Sequence, residues 1–427
     1  MEVTIKKSDL INTSVYIPPS TSHSIRAIFI AGLAKGKSEI KNILFSEDVM
    51  SAIGVMREFG AKIDIQDDKV YVVGVDGKPK LPNNTVYVGN SGTTLRFAML
   101  VAAKINGQTV LTGDSQIQKR PIKELVHLIN NLGGKVEYLK DKDCVPIKIT
   151  GKITGGISDL DAFSSQYLSS ALITCPLLEK HTILNITRLN ESPYVDMTMW
   201  WLDKQNIRYI DDQKKSILIF GNQHYRGFSE TISGDYSQAT FFIVLACIAQ
   251  KRLVLKNLDI NDKQGDKEVL EIAKRFGAEV IVKEKEVIIE GKTKLQGQVV
   301  DMNKIPDALP AMAVLGCFAH GETRLINVEQ ARFKETDRIN VMATELKKLG
   351  ADVEELRDGL VIRHSDLHQG TVLGHGDHRI VMALSVLGLC IDGGLTITTA
   401  EAVNITFPNF FAILKDLGAN LEKKEGF

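Results

Sequence analysis

A glycine returns at nearly constant intervals along all 427 residues. Gly60 stands in EFGAKI, Gly133 in NLGGKV, Gly277 in RFGAEV, Gly350 in KLGADV and Gly418 in DLGANL, while Asn206 takes the same place in KQNIRY. The intervals are 73, 73, 71, 73 and 68 residues, so six units of one design fill the chain. The stretches before the glycines, such as IKELVHLINNLG, EVLEIAKRFG and VMATELKKLG, carry apolar residues at three-and-four spacing. That spacing predicts amphipathic helices. A glycine just past the last apolar turn accepts left-handed backbone without steric cost, and asparagine is the next most tolerant residue there. Segments such as KIDIQDDKVYVVG and EVIVKEKEVIIEG alternate around a charged turn and predict a hairpin after each cap.

The other half of each unit is a more apolar helix rich in small residues. RAIFIAGLAKG, LSSALITCPLLEK, ATFFIVLACIAQK, LPAMAVLGCFAHG and IVMALSVLGLC are examples. A helix apolar on nearly all sides is buried, and these runs fall short of a membrane span. Each unit therefore reads as an α/β module with one buried and one half-exposed helix. The length implies two domains, most simply three modules each. Lys+Arg and Asp+Glu balance at 52 each, which argues against a nucleic-acid or polybasic membrane partner. MEVTIKKSDL does not read as a signal peptide, so a cytoplasmic location is expected. Cys175, Cys247, Cys317 and Cys390 recur 72, 70 and 73 residues apart in the buried helices. They read as small core residues, not as disulfides or metal ligands.

Chemistry is expected at the helix starts, where unpaired N–H groups and the macrodipole favour anions. The half-exposed helices open near Arg120 and Pro121, Ser192 and Tyr194, Gly265 and Asp266, Lys334 to Arg338, and Pro408. The buried helices open near Ser22 to Arg26, Asn90 to Arg96, Ser164 to Gln166, Asp307, and Asp377 to Arg379. Ser, Asn and Asp at such places are ordinary N-caps. Arginine is not. Arg26, Arg96, Arg120, Arg338 and Arg379 stand where the dipole disfavours cations, and a polyanionic ligand would explain all five.

Eight segments, VGNSGTTLRF, KRPI, SSQYLSSAL, SPYVDMT, IPDALPAMAV, KETDR, GDHRIVMAL and TFPNF, resemble in order the motif blocks of the enolpyruvyl transferase family. The likeness spans the whole chain and is nearest to the branch that acts on shikimate 3-phosphate. It implies a two-domain α/β fold of six repeated modules, three per domain, with the active site in the interdomain cleft. Two crossing segments near 13–20 and 227–235 would make one domain of residues 1–13 plus 230–427 and an inserted one of 14–229. The implied reaction moves the enolpyruvyl group of phosphoenolpyruvate to the 5-hydroxyl of shikimate 3-phosphate and releases phosphate. Ser22, Arg26, Ser164, Ser165, Gln166, Tyr194 and Lys334 match positions that hold the acceptor, as does Asp307. Asn90, Gly92, Arg120, Arg338 and Arg379 match positions around phosphoenolpyruvate. Asp307 would take the hydroxyl proton and Glu335 would help protonate the methylene carbon. No metal or cofactor is implied, and the expected partners are the two small substrates, taken up by a monomer.

The chain departs from the family pattern at four places. Thr21 and Ile405 stand where lysines belong, Glu191 where a serine lies beside the acceptor phosphate, and Gln330 where asparagine is frequent. Two cations are lost and one anion gained. Either His23, Lys119 or Lys334 supplies the missing charge, or the acceptor is another hydroxylated molecule, or the chain is a weakly active ligand-binding relative. The paired carboxylates Asp307 and Glu335 count against a pure binder. A Glu191 that faces inward would repel an acceptor phosphate, whereas one facing solvent would not. His364, His368, His375 and His378 invite a zinc reading, but the GDHR block accounts for His378. GNSGTTLR lacks the lysine of a P-loop.

Overall fold

In the computed structural model, residues 1–292 and 294–425 are described. The chain divides into two compact units, Met1–Pro18 with Ser233–Phe427, and Pro19–Ile232. Twelve α-helices alternate in character among the described residues. They are α1 (Thr21–Leu33), α2 (Glu47–Glu58), α3 (Gly92–Lys104), α4 (Lys123–Asn131), α5 (Ser165–Thr174), α6 (Ser192–Lys204), α7 (Tyr236–Ala249), α8 (Val269–Phe276), α9 (Leu309–Phe318), α10 (Arg338–Lys347), α11 (His378–Cys390) and α12 (Phe410–Asp416). The odd-numbered helices are buried almost throughout, and the even-numbered ones bury one face. Within the described residues no helix is long and apolar enough to cross a membrane.

All six modules carry one four-stranded sheet of one topology. In the middle module of the inserted unit the order is Val86–Tyr87, Gln108–Thr112, Ile147–Thr150, Lys135–Tyr138. The first pair is parallel, as a strand–helix–strand crossover requires, and the remaining pairs are antiparallel. Two leading strands are exchanged. Thr13–Tyr16 precedes α1 in the chain yet pairs with Arg252–Lys256, Leu253 opposite Thr13. Ser229–Thr231 precedes α7 yet pairs with Lys37–Lys41, Ser229 opposite Glu39. In the last module the strand Glu2–Lys6 lies between Leu395–Thr398 and Asn420–Lys424.

The recurring glycine does what its spacing predicts. Gly60, Gly133, Gly277, Gly350 and Gly418 have φ between 89° and 109°, and Asn206 has φ 54°. All six therefore close their helices in the left-handed region. Proline is less regular. Pro193 lies in the first turn of α6, but α4 begins at Lys123 and α12 at Phe410, so Pro121 and Pro408 stand just outside the helices they were expected to open.

Each unit has its own hydrophobic core. In the inserted unit α3 packs on both α1 and α5, and in the other α7, α9 and α11 pack on one another. The four repeated cysteines are free thiols. Burial pushes each of them up to about 12, out of the range in which a thiolate would react.

Candidate active site

In the inserted unit the polar helix starts meet. Ser20 caps α1 by accepting from the His23 N–H, Ser91 caps α3, and Ser164 caps α5 by accepting from the Gln166 N–H. Ser164 thus has the ordinary capping role, whereas Ser22 and Asn90 do not cap. The Arg26 guanidinium, 2% exposed, donates to Thr198 Oγ1 at 2.8 Å, to the carbonyls of Ser22 and Tyr194 at 2.9 Å each, and to Ser169 Oγ at 3.4 Å. These acceptors are all neutral, and burial pushes Arg26 down to about 10. An uncompensated buried cation of this kind favours an incoming anion.

Next to it, Arg120 donates to Asn90 Oδ1 at 2.7 Å, and the Asn90 amide donates to Asp114 and Gln116 at 2.6 Å each. Gly92 opens α3 with the guanidinium of Arg120 so close that an added Cβ would lie 2.8 Å from Nη1. Arg96 donates to the carbonyls of Gly92 and Pro121. Gln166 donates to Thr93 Oγ1 at 3.1 Å, which ties α5 to α3. Sequence reasoning placed Asn90, Gly92 and Arg120 in one site but missed Asp114 and Gln116, which orient Asn90. Ordinary polar loop residues carry no periodic signal.

The second cluster lies in the other unit. Asp307 sits in the 3-10 turn Pro306–Ala308 ahead of α9, where it caps nothing. Arg338 is the first residue of α10, and Asp377 is the N-cap of α11. Arg338, 1% exposed, meets Asp377 at 2.8 Å, Asp307 at 2.8 Å and Glu335 at 2.5 Å. Arg379 reaches Asp307 Oδ2 at 3.0 Å and Ser237 Oγ at 3.0 Å, while Lys334 lies 3.8 Å from Asp307. Three cations thus face three carboxylates. Burial alone would raise the Asp307 carboxyl, but Arg379, Lys334 and Arg338 outweigh it and hold Asp307 well below the usual carboxylate range. Asp377 is depressed in the same way, chiefly by Arg338 against the effect of burial. Burial pushes His378 down to about 4, so the cluster gains no cation from it near neutral pH. For Arg338 and Arg379 the charge compensation expected from a ligand is therefore supplied by the chain itself, because aspartates at neighbouring helix starts point inward.

The departures take definite places. Ile405 is 7% exposed and belongs to the hydrophobic core. Thr21 is the first residue of α1. Gln330 donates to the Asn303 carbonyl and holds a loop. Glu191 faces inward: it is 2% exposed, has φ 56°, and accepts from Ser165 Oγ at 2.7 Å. His23 is turned into the core, its Nδ1 accepting from the Trp201 indole at 3.0 Å, and Lys119 is exposed. Of the three replacements considered for the missing charge, only Lys334 is part of a cluster. The histidines scatter: His364 stacks on His320, and His375 bonds to Glu345. No group of three or more His, Cys, Asp or Glu among the described residues is arranged to hold a metal.

Comparison with known proteins gives the family of the chain. A family model described as EPSP synthase (3-phosphoshikimate 1-carboxyvinyltransferase) matches residues 5–414. A 3-phosphoshikimate 1-carboxyvinyltransferase from Ruminiclostridium cellulolyticum is 52% identical over 422 residues, covering 99% of this chain and 100% of the relative. One from Methanocaldococcus jannaschii is 40% identical, covering 98% and 99%. Among solved structures, the EPSP synthase of Acinetobacter baumannii is similar at a TM-score of 0.83 and 26% identity, over 99% of this chain and 100% of that one.

Proposed function

The chain belongs to the EPSP synthase family, and from that premise we propose how its residues carry out the family reaction. Phosphoenolpyruvate gives its enolpyruvyl group to the 5-hydroxyl of shikimate 3-phosphate, and inorganic phosphate leaves. Ser22, Arg26, Ser164, Ser165, Gln166 and Tyr194 hold the acceptor, with Lys334. Asn90, Gly92, Arg120, Arg338 and Arg379 hold phosphoenolpyruvate. The protein acts as a monomer in the cytoplasm, without a nucleic-acid or membrane partner.

The observation that carries this assignment is the balanced cluster around Asp307. A general base works best when its pKa lies near the working pH, and Asp307 is held far below that by its cations. An anionic donor that engages Arg379 and Arg338 takes over their charge. Asp307 is then released and rises toward a useful basicity, and Glu335 is freed from its bond to Arg338. Glu335, once it has left Arg338 and taken up a proton, protonates the methylene carbon as the acceptor oxygen bonds to C2, and the ionised Asp307 receives the hydroxyl proton. The product of addition is a tetrahedral phospho-ketal. The Glu335 carboxylate takes back a methyl proton as phosphate leaves with the proton from Asp307, and the double bond is restored as an enol ether. Arginines aimed at the developing charge stabilise both steps.

The test is phosphate release by purified protein with phosphoenolpyruvate and shikimate 3-phosphate, with the product identified by mass. Turnover to the enol ether supports the reading. Folded protein that releases no phosphate would overturn it.

A further inference from the structure

Glu191 is the chain's one acidic departure on the acceptor side, and its setting is unusual in three respects. It occupies the N-cap position of α6 in the left-handed region, φ 56° and ψ 38°, although it is not glycine. Its side chain is buried at 2% exposure. The carboxylate Oε2 accepts from Ser165 Oγ at 2.7 Å and lies 3.4 Å from the Ser165 N–H. Ser165 is the first residue of α5, a helix of ten residues whose N-terminal dipole favours an anion. The most favourable anion position of that helix is therefore filled by the chain's own carboxylate. Backbone strain and burial both indicate a fixed placement rather than a side chain free to leave.

We propose that Glu191 is a specificity-determining residue of the acceptor subsite. It is a resident anion that weakens the preference for a phosphorylated acceptor over the same alcohol without its phosphate. The proposal rests on the assignment of Ser164, Ser165, Gln166 and Arg26 to the acceptor. A phosphate drawn to α5 must share Ser165 with Glu191 and lie beside a like charge, whereas a neutral hydroxyl there can donate to the carboxylate. Arg26 offsets part of that repulsion, since its hydrogen bonds go to neutral oxygens.

The experiment compares shikimate 3-phosphate with shikimate, at saturating phosphoenolpyruvate, for the wild type, Glu191→Ser and Glu191→Gln. The readout is the ratio of kcat/KM for the two acceptors. Glu191→Ser is expected to raise that ratio by at least about tenfold, through a lower KM for the phosphorylated acceptor and an unchanged KM for phosphoenolpyruvate. Glu191→Gln keeps the size and the Ser165 contact, removes the charge, and is expected to shift the ratio the same way. It also serves if the serine variant fails to fold. A ratio that stays constant or falls in the folded variants overturns the proposal while leaving the transfer reaction intact. If no protein turns over either acceptor, the transfer assignment fails, and calorimetric binding of shikimate 3-phosphate decides the subsite. Tighter binding by the variants supports the role of Glu191, and equal or weaker binding overturns it.

Discussion

Asp307 is bound by Arg338 at 2.8 Å and Arg379 at 3.0 Å, and this one carboxylate connects electrostatics to chemistry. Asp307→Asn keeps the shape and most of the hydrogen bonding but cannot accept a proton. We expect kcat to fall about 10²–10⁴-fold with an unchanged circular dichroism spectrum, as steady-state kinetics would show. His378 gives a second prediction. Its native value near 4 lies below the ordinary 6.5, so between those values the unfolded state holds a proton that the native state lacks. Stability from this group is present above pH 6.5, is lost as pH falls toward 4, and changes no further below that. Between pH 7 and 5 the loss is roughly 2 kcal/mol. Urea unfolding at both pH values should show this difference in the wild type and its disappearance in His378→Gln. The residue types of the site were legible because they fall at or beside helix starts in five of the six modules. Their facing was not. A glutamate beside a helix start can turn to solvent or inward, and here Glu191, in the left-handed region, reaches Ser165. The pairing of Arg338 with Asp377 escaped for a related reason: Asp377 read as an N-cap, and it both caps α11 and binds the arginine.

At the scale of elements, the six helix ends share one backbone state and differ in their surroundings. A Cβ on Gly133 would meet only the Lys152 carbonyl at 4.0 Å, so Gly133→Ala measures the left-handed penalty almost alone. It should cost about 1–2 kcal/mol. On Gly277 a Cβ would come within 2.9 Å of the Lys294 carbonyl, so Gly277→Ala should cost more than that. Asn206 already tolerates φ 54°, so Asn206→Gly should change stability by only a few tenths of a kcal/mol. Chemical denaturation of the three variants would rank them. Helix ends and hairpins were readable because each is set by local steric and periodic rules. The exchange of Thr13–Tyr16 and Ser229–Thr231 between modules has no local cause. Both are short strands followed by buried helices, and either would satisfy the pattern of the other.

For the whole molecule, the division of strands decides what can fold alone. Every sheet within Pro19–Ile232 draws its strands from that span, and the span has its own core. A fragment of residues 19–232 should therefore unfold in one cooperative transition with native-like helix content, which a thermal melt followed by circular dichroism would check. The other unit is differently placed in time. Its strand Glu2–Lys6, with Val3 and Ile5 fully buried, finds its neighbours only in Leu395–Thr398 and Asn420–Lys424. During synthesis the inserted unit has all its strands once Thr231 has left the ribosome. The strand Glu2–Lys6 has no sheet to join until Leu395–Thr398 has been added. The order of translation thus completes residues 19–232 before the sheet that takes Glu2–Lys6, and leaves an apolar strand to be shielded while it waits.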